Sequence, residues 1–363
     1  TWPPGGGWRI SEQPRVQIGV RDGDEKLQLF RVNGAKRLSD GRIVVLNAGT
    51  LTLRAFSSDG QFLWEAGGPG DGPGEFRALN SHHVLSGDTV LAWDSRIGRV
   101  SFFSPDGRFL RSTRLRRPGP GQLTYPFPVS EGRLVLMTFA SPRTNDPNPS
   151  MGLHRPSVPL LLFGPDGTVS DTLGLFPGHE QVVHEISGSP AWSVSSLSKT
   201  LYVDSWDSSL AIGTADQVEV SIWNGVTGPS AVFRQVGVDL TLDEQDRRWY
   251  RDREMELANT PEEVQWAEVA IANQDHFHSR PAFSALKVDR EGNVWLRTGR
   301  HFPGSAPSLE WTVFSSRGML LGTVSLPERL RILEIGEGEL IGVWTDELGV
   351  EYVRVYGLEK GGA

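Results

Sequence analysis

Short apolar stretches bounded by Gly- and Asp-rich turns recur along the whole 363-residue chain. One phrase is a strand ending in Phe, two residues, Asp-Gly, and a second strand. It reads Phe56-Ser57-Ser58-Asp59-Gly60, Phe103-Ser104-Pro105-Asp106-Gly107 and Phe163-Gly164-Pro165-Asp166-Gly167, with Phe314-Ser315-Ser316-Arg317-Gly318 as a weaker copy. Asp-Gly between apolar strands marks a hairpin, because Gly accepts positive φ. A second phrase precedes the first: an apolar residue, a Gly turn, then a β-branched run. Examples are Leu38-Ser39-Asp40-Gly41-Arg42-Ile43-Val44-Val45, Val129-Ser130-Glu131-Gly132-Arg133-Leu134 and Val288-Asp289-Arg290-Glu291-Gly292-Asn293-Val294-Trp295. Each unit therefore holds two hairpins, and four-stranded units repeating in this way are propeller blades.

Units start near Leu38, Val84, Val129, Val194, Leu286 and Ile332. The predicted fold is all-β, a six-bladed β-propeller forming a single domain over residues 1–363. The last unit runs out of chain after Tyr356, and Arg15–Val20 can supply its fourth strand, which removes a free edge. An N-terminal arm, residues 1–13, precedes that strand. Between blades 4 and 5 the pattern turns helical over 241–275. Thr241 with Glu244 reads as a capping box, and Thr260-Pro261 with Glu263 as another, with Pro at the first helical position. The two starts predict an αα-hairpin insertion with helices over 243–258 and 261–273.

Gly67-Gly68-Pro69-Gly70-Asp71-Gly72-Pro73-Gly74-Glu75-Phe76 follows an outer strand and precedes an inner one. It resembles the G-x-G-x-G-P-G-E-F segment of bacterial six-bladed NHL-like propellers, and Ala35–Leu46 fits the same pattern. The resemblance covers residues 14–120 and fades beyond them. It implies the fold and an exported envelope protein. It implies no reaction, because this group includes binders, sensors and enzymes.

Composition narrows the classes. Net charge is −8, which argues against a nucleic-acid partner. No apolar run approaches the ~20 residues of a membrane helix, so no transmembrane segment is expected. There is no Cys, which excludes disulfides, thiol catalysis and Cys–metal sites. The sequence begins at Thr1 rather than Met, which fits removal of a signal peptide or an artificial cut; with the resemblance, a periplasmic or cell-surface protein with its signal peptide removed is expected.

In a propeller the turns within hairpins lie on one face, and the crossings between blades lie on the other. The long irregular segments, among them 141–157, 176–193 and 239–281, all fall in the second class, where binding is expected. All eight His fall in such segments. His83, His184 and His278 precede predicted inner strands and are the candidate metal ligands, as neutral imidazoles converging on a central channel. Asp94, Asp204, Asp207 and Asp289 are the carboxylates near inner-strand ends that could serve calcium. No phosphate loop, nucleophile elbow or zinc-helix motif occurs. Partner-binding candidates are Trp2 and Trp8 in the arm, Trp249 and Trp266 in the helices, and Arg111 and Arg114 on an outer strand.

These features lead to a non-catalytic scaffold or accessory subunit of an envelope complex. It would use no cofactor and take other protein subunits, including those of a membrane complex, as partners. One alternative is a metal-dependent lyase or lactonase with its site in the channel. Another is a small-ligand or glycan binder.

Overall fold

The computed structural model describes residues 7–119, 122–139, 149–186, 188–298 and 308–360. Among the described residues the chain forms seven small antiparallel sheets. Sheet 1 contains Val32–Arg37, Ile43–Asn47, Thr52–Phe56 and Phe62–Gly67. Sheet 2 contains Leu79–Val84, Val90–Asp94, Arg99–Phe103 and Phe109–Arg114. In sheet 3 the inner strand is broken into Gln122–Leu123 and Phe127–Pro128, followed by Leu134–Phe139, Ser157–Phe163 and Val169–Pro177. Sheet 4 contains Tyr202–Trp206, Ser209–Gly213, Glu219–Asn224 and Ala231–Arg234. Sheet 5 contains Leu286–Val288, Val294–Arg297, Ser308–Phe314 and Leu320–Pro327. Sheet 6 contains Leu330–Gly336, Glu339–Thr345 and Glu351–Glu359. Within each of these sheets, strands pair in chain order, an arrangement consistent with a β-propeller.

The N-terminal segment completes sheet 6. Val16–Ile18 pairs with Val353–Val355, and Arg9–Ile10 pairs with Leu358–Glu359. The outer edge that Glu351–Glu359 would otherwise expose is thereby hydrogen-bonded within the chain.

Strands are apolar on both faces because each sheet is packed on both faces. All of Ile43–Asn47 is buried. Ile43 and Val45 join Ile341, Val343 and Val353 of sheet 6, whereas Val44 and Leu46 join Val90, Ala92 and Phe103 of sheet 2. The same alternation builds apolar clusters between sheets 2 and 3, 3 and 4, 4 and 5, and 5 and 6. Period-two alternation thus sends successive side chains into two different cores. Close approach fixes some positions. A Cβ on Gly107, which has φ +78°, would sit 2.6 Å from the Trp64 ring of the neighbouring sheet.

Inner-edge strands carry backbone N–H groups with no strand beside them, and these need other acceptors. Carboxylates of the preceding sheet supply several. Val32 N–H donates to Glu351 (2.7 Å), Arg37 N–H to Glu334 (2.7 Å) and Val288 N–H to Asp204 (2.9 Å).

Two long segments expected to be irregular are partly ordered into a seventh sheet, in which Gly152–His154 and Ser189–Ser193 flank Gln181–Ile186. Between sheets 4 and 5 lie α1 (Glu244–Leu257) and α2 (Pro261–Ala272). Helix α2 starts at the expected Thr260–Glu263 box. Helix α1 is capped two residues later than expected, by Asp243 and Asp246 rather than Thr241 and Glu244. Asp at N-cap accepts the N3 amide as Thr would, and Asp246 returns the bond to the Asp243 amide. Tyr250 of α1 is fully buried with Val182, Leu197, Leu242 and Phe277.

Candidate functional site

Four inner strands end in the same way. At the mouth of each hairpin one amide closes the turn: Leu38 N–H to Arg42 C=O, Leu85 to Thr89, Val129 to Arg133 and Asp289 to Asn293, at 2.8–3.0 Å. Two residues before each closing amide stand Lys36, His83, Phe127 and Lys287. They pair across their hairpins with Val44, Leu91, Val135 and Trp295. Shared register puts them at one level of the inner edges of sheets 1, 2, 3 and 5. Two ammoniums, an imidazole and a phenyl ring therefore lie at the same depth.

A cavity of about 750 Å³ opens over this level, and all six principal sheets contribute to its wall. Lys36, His83 and Lys287 line it; its rim is made of hairpin turns, including Ser39, Gly132, Asp207 and Arg290. It therefore opens on the face carrying the short turns, opposite the long crossings.

Most charged groups in the wall are already engaged. Glu334 accepts from the Arg37 amide and from Arg290. Arg37 is paired with Glu339 and donates to Gly41 C=O. Asp204 accepts the Val288 amide, and Asp88 accepts from the Ser39 amide and hydroxyl. Asp289 is buried and accepts from Asn293 and the Trp295 indole. Glu131 pairs with Arg133. Asp207 sits exposed on the rim. Lys36 and Lys287 are half-buried, and neither has a carboxylate at ion-pair distance among the described residues.

His83 feels the charge of both cations. Burial, then the positive charges of Lys36 and Lys287, push its pKa down to about 3, so the imidazole is neutral at pH 7. One ring nitrogen is directed at Pro126 C=O, and the ring meets Phe127 edge-on at 6.4 Å. That leaves the other nitrogen with a free lone pair. His82 points to the other side of the strand and has a structural setting. Its Nε2 is 3.1 Å from Val44 C=O, and a Cβ on Gly34 would lie 2.6 Å from its ring.

The residues singled out in sequence are dispersed. His184 packs against Trp266 (6.0 Å) with Ser193 Oγ 3.4 Å from Nδ1, and His278 is exposed after α2. Neither lines the cavity with His83. Among the described residues no three His, Asp or Glu groups come together as a metal site. Asp94 is occupied by the amides of Arg77, Arg96 and Ile97, as Asp204 and Asp289 are by the groups named above. The donor set for a channel metal thus does not fit among the described residues. Trp8 packs on Trp295 (5.7 Å) beneath the Lys360 ammonium. Trp249 packs on the cluster around Tyr250. Arg111 lies over the Phe102 ring (3.7 Å) at the outer end of the cavity, and Arg114 donates to Ile97 C=O. Trp2 lies outside the described residues.

Lys36 and Lys287 were missed. Their signal was present: the chain has only five Lys, and each of these two stands five residues before the glycine of its hairpin, Gly41 and Gly292.

No protein-family model matches the chain, and no curated protein matches it. Solved structures do. A member of the duf4221 family from Bacteroides vulgatus gives a TM-score of 0.57 at 11% identity, over 98% of this chain and 99% of that one. A candidate exported protein from Bacteroides fragilis gives 0.52 at 13%, over 97% and 96%. Virginiamycin B lyase from Staphylococcus aureus gives 0.46 at 9%, over 97% and 100%. The fold is β-propeller-like. At these identities the likeness carries the architecture and not the reaction. It nevertheless corrects the expectation of a non-catalytic scaffold that is not an enzyme, because this fold's neighbours include enzymes. The expectation rested on missing linear motifs, and a propeller assembles its site from separate sheets. No helix among the described residues is long and apolar enough to cross a membrane.

Proposed function

We propose that the chain is a six-bladed propeller enzyme of the NHL-like kind, one domain with α1 and α2 inserted between blades 4 and 5, whose site is the axial cavity. The reaction class is lyase or lactonase, cleavage of a C–O bond in a small ester or lactone by the chain's own groups. One observation carries this reading: His83, with a free ring nitrogen, stands at the same level as two lysines without counter-charges, inside a cavity walled by six sheets.

In elimination, the imidazole takes a proton from the carbon next to the one that bears the ester oxygen. The C–H electrons become the C=C bond and the alkyl C–O bond breaks, releasing a carboxylate. In hydrolysis, it takes a proton from water, hydroxide adds to the carbonyl carbon, and the proton returns to the departing alkoxide. Either path develops negative charge on the carbonyl oxygen, which Lys36 and Lys287 would stabilise. General-base catalysis contributes about 10²–10⁴-fold.

The test is a panel of small lactones and esters, followed by acid release and by the absorbance of a new C=C bond. His83→Gln should lose turnover by at least about hundredfold with melting unchanged. Turnover that survives the substitution, or none across the panel with wild-type protein, contradicts the reading. The name of the Bacteroides fragilis neighbour supports an exported protein as well; fractionation of cells expressing the native gene tests it, and a cytoplasmic product contradicts it.

A further inference from the structure

Resting on that reading of the cavity, we infer that its ligand carries an oxyanion, a carboxylate or a phosphate, held between Lys36 and Lys287. Lys36 and Lys287 are the two wall cations with neither an ion pair nor a hydrogen bond among the described residues. Arg37 and Arg290 are held by Glu339 and Glu334, Arg133 by Glu131, and Arg111 rests on Phe102. Holding two half-buried ammoniums without counter-charges costs stability, since burial penalises each ion. Among the described residues neither ammonium bonds to its own protein, so no hydrogen bond or ion pair offsets that cost.

Their placement then selects the ligand. The two lysines occupy one register level on sheets 1 and 5, with the inner strand of sheet 6 between them. The acid on that strand, Glu334, is consumed by the Arg37 amide and Arg290 and has little left to offer an ammonium. A neutral ligand would leave both charges uncompensated, and a cation would add a third. An oxyanion supplies several acceptor lone pairs and neutralises the pair. Lysine is a point charge that sets no planar fork, so the site fits carboxylate and phosphate alike. Leu85, Leu91 and Phe102 in the same wall give the rest of such a ligand an apolar surface. Anion binding would also act on His83. It cancels the two repelling charges, so the imidazole becomes a better proton acceptor when the ligand is present.

Titration calorimetry on the full chain, with phenylacetate, inorganic phosphate and the neutral isostere phenylacetamide as probes, separates the outcomes. At low ionic strength at least one of the two anions should bind and phenylacetamide should not; phosphate binding without phenylacetate, or the reverse, identifies the oxyanion. Lys36→Gln and Lys287→Gln should each weaken binding by about tenfold or more, and the double variant should abolish it. Lys36→Arg and Lys287→Arg should restore it, and Arg114→Gln, elsewhere on the surface, should change nothing. In parallel, the His83 imidazole resonances should titrate at higher pH when the anion is bound, and this shift should vanish in the double variant. Equal binding of acid and amide, no binding of either anion, or unchanged affinity in the folded double variant overturns the inference. His83→Gln should bind the anion as wild type does. If anion binding through the lysines holds while turnover fails, the catalytic reading falls alone. If turnover needs His83 but is indifferent to both lysines and to substrate charge, this inference falls alone.

Discussion

The two ends of sheet 4 treat buried charge in opposite ways. At the crossing end, Arg155 is paired with Asp216 (2.5 Å) and near Glu180 (3.9 Å), and it donates to Gly178 and Thr214 carbonyls. Lys199 lies 3.7 Å from the same Glu180, whose carboxylate also accepts the Lys199 amide. Every member of that network has a partner, and the network ties the seventh sheet's flanking chain to sheet 4. At the other end, Trp206 and Asp207 belong to the rim of the cavity, where Lys36 of sheet 1 and Lys287 of sheet 5 stand without an ion pair among the described residues. The same residue types thus serve cohesion at one end and are left reactive at the other. Elaborate loops went into structure, and the plain hairpins frame the candidate site.

The sharpest way to break this contrast is to remove the hub of the paired end. Arg155→Met should cost about 3 kcal/mol, because it removes the close partner of Asp216, one of the cations facing buried Glu180, and the donor to two carbonyls. Chemical denaturation should read that loss, while anion binding at the far end stays as in wild type. A stability change below about 0.5 kcal/mol would mean that the network holds nothing.

Truncation in the arm should come next in size. Trp8→Ala removes a ring packed on Trp295 and on the core between sheets 5 and 6, and should cost about 2 kcal/mol. Unchanged melting would return Trp8 to the role of a free surface anchor.

Acid should weaken sheet 2 specifically. Burial and nearby Lys36 hold His82 and His83 at pKa values of about 3, against an ordinary 6.5. Unfolded imidazoles bind protons that folded ones refuse, so their contribution is complete above pH 6.5 and is lost as pH falls toward 3. Unfolding free energy measured across that window should fall with acidification, and less steeply in His83→Gln. Parallel profiles would contradict the assignment of neutral, buried imidazoles.

The smallest effect expected is a gain. Lys36→Met with Lys287→Met removes two uncompensated ions from the wall and should raise stability by about 1 kcal/mol at low salt, shrinking as salt is added. A loss of similar size would show that the lysines do support the fold.

Much of the architecture is legible because it is local. Phe103-Ser104-Pro105-Asp106-Gly107 states a hairpin within five residues, and the apolar run Ile43–Leu46 states a strand buried on both faces. The pairing of Val16 with Val355 could be anticipated only because the last sheet lacked a strand. By contrast, Gly152–His154 meets Gln181–Ile186 across two intervening strands of sheet 3, and no local pattern marks such a pairing. The site was less legible for a related reason. Eight His in similar segments suggested convergence, yet His184 turned to Trp266 and His83 to the cavity. Chain position does not report which sheet edge faces which. Register does: Lys36, His83 and Lys287 each stand two residues before the amide that closes their hairpin turn, at Leu38, Leu85 and Asp289.

His83 is held neutral by burial first and by the charges of Lys36 and Lys287 second, and the reading of the cavity stands on that. Its most direct test is the pH titration of the His83 imidazole by nuclear magnetic resonance, in wild-type protein and in Lys36→Gln/Lys287→Gln. The account predicts a pKa far below 6.5 in wild type that moves upward when the lysines are removed. An ordinary pKa near 6.5 in wild type, or no movement in the double variant, would contradict it.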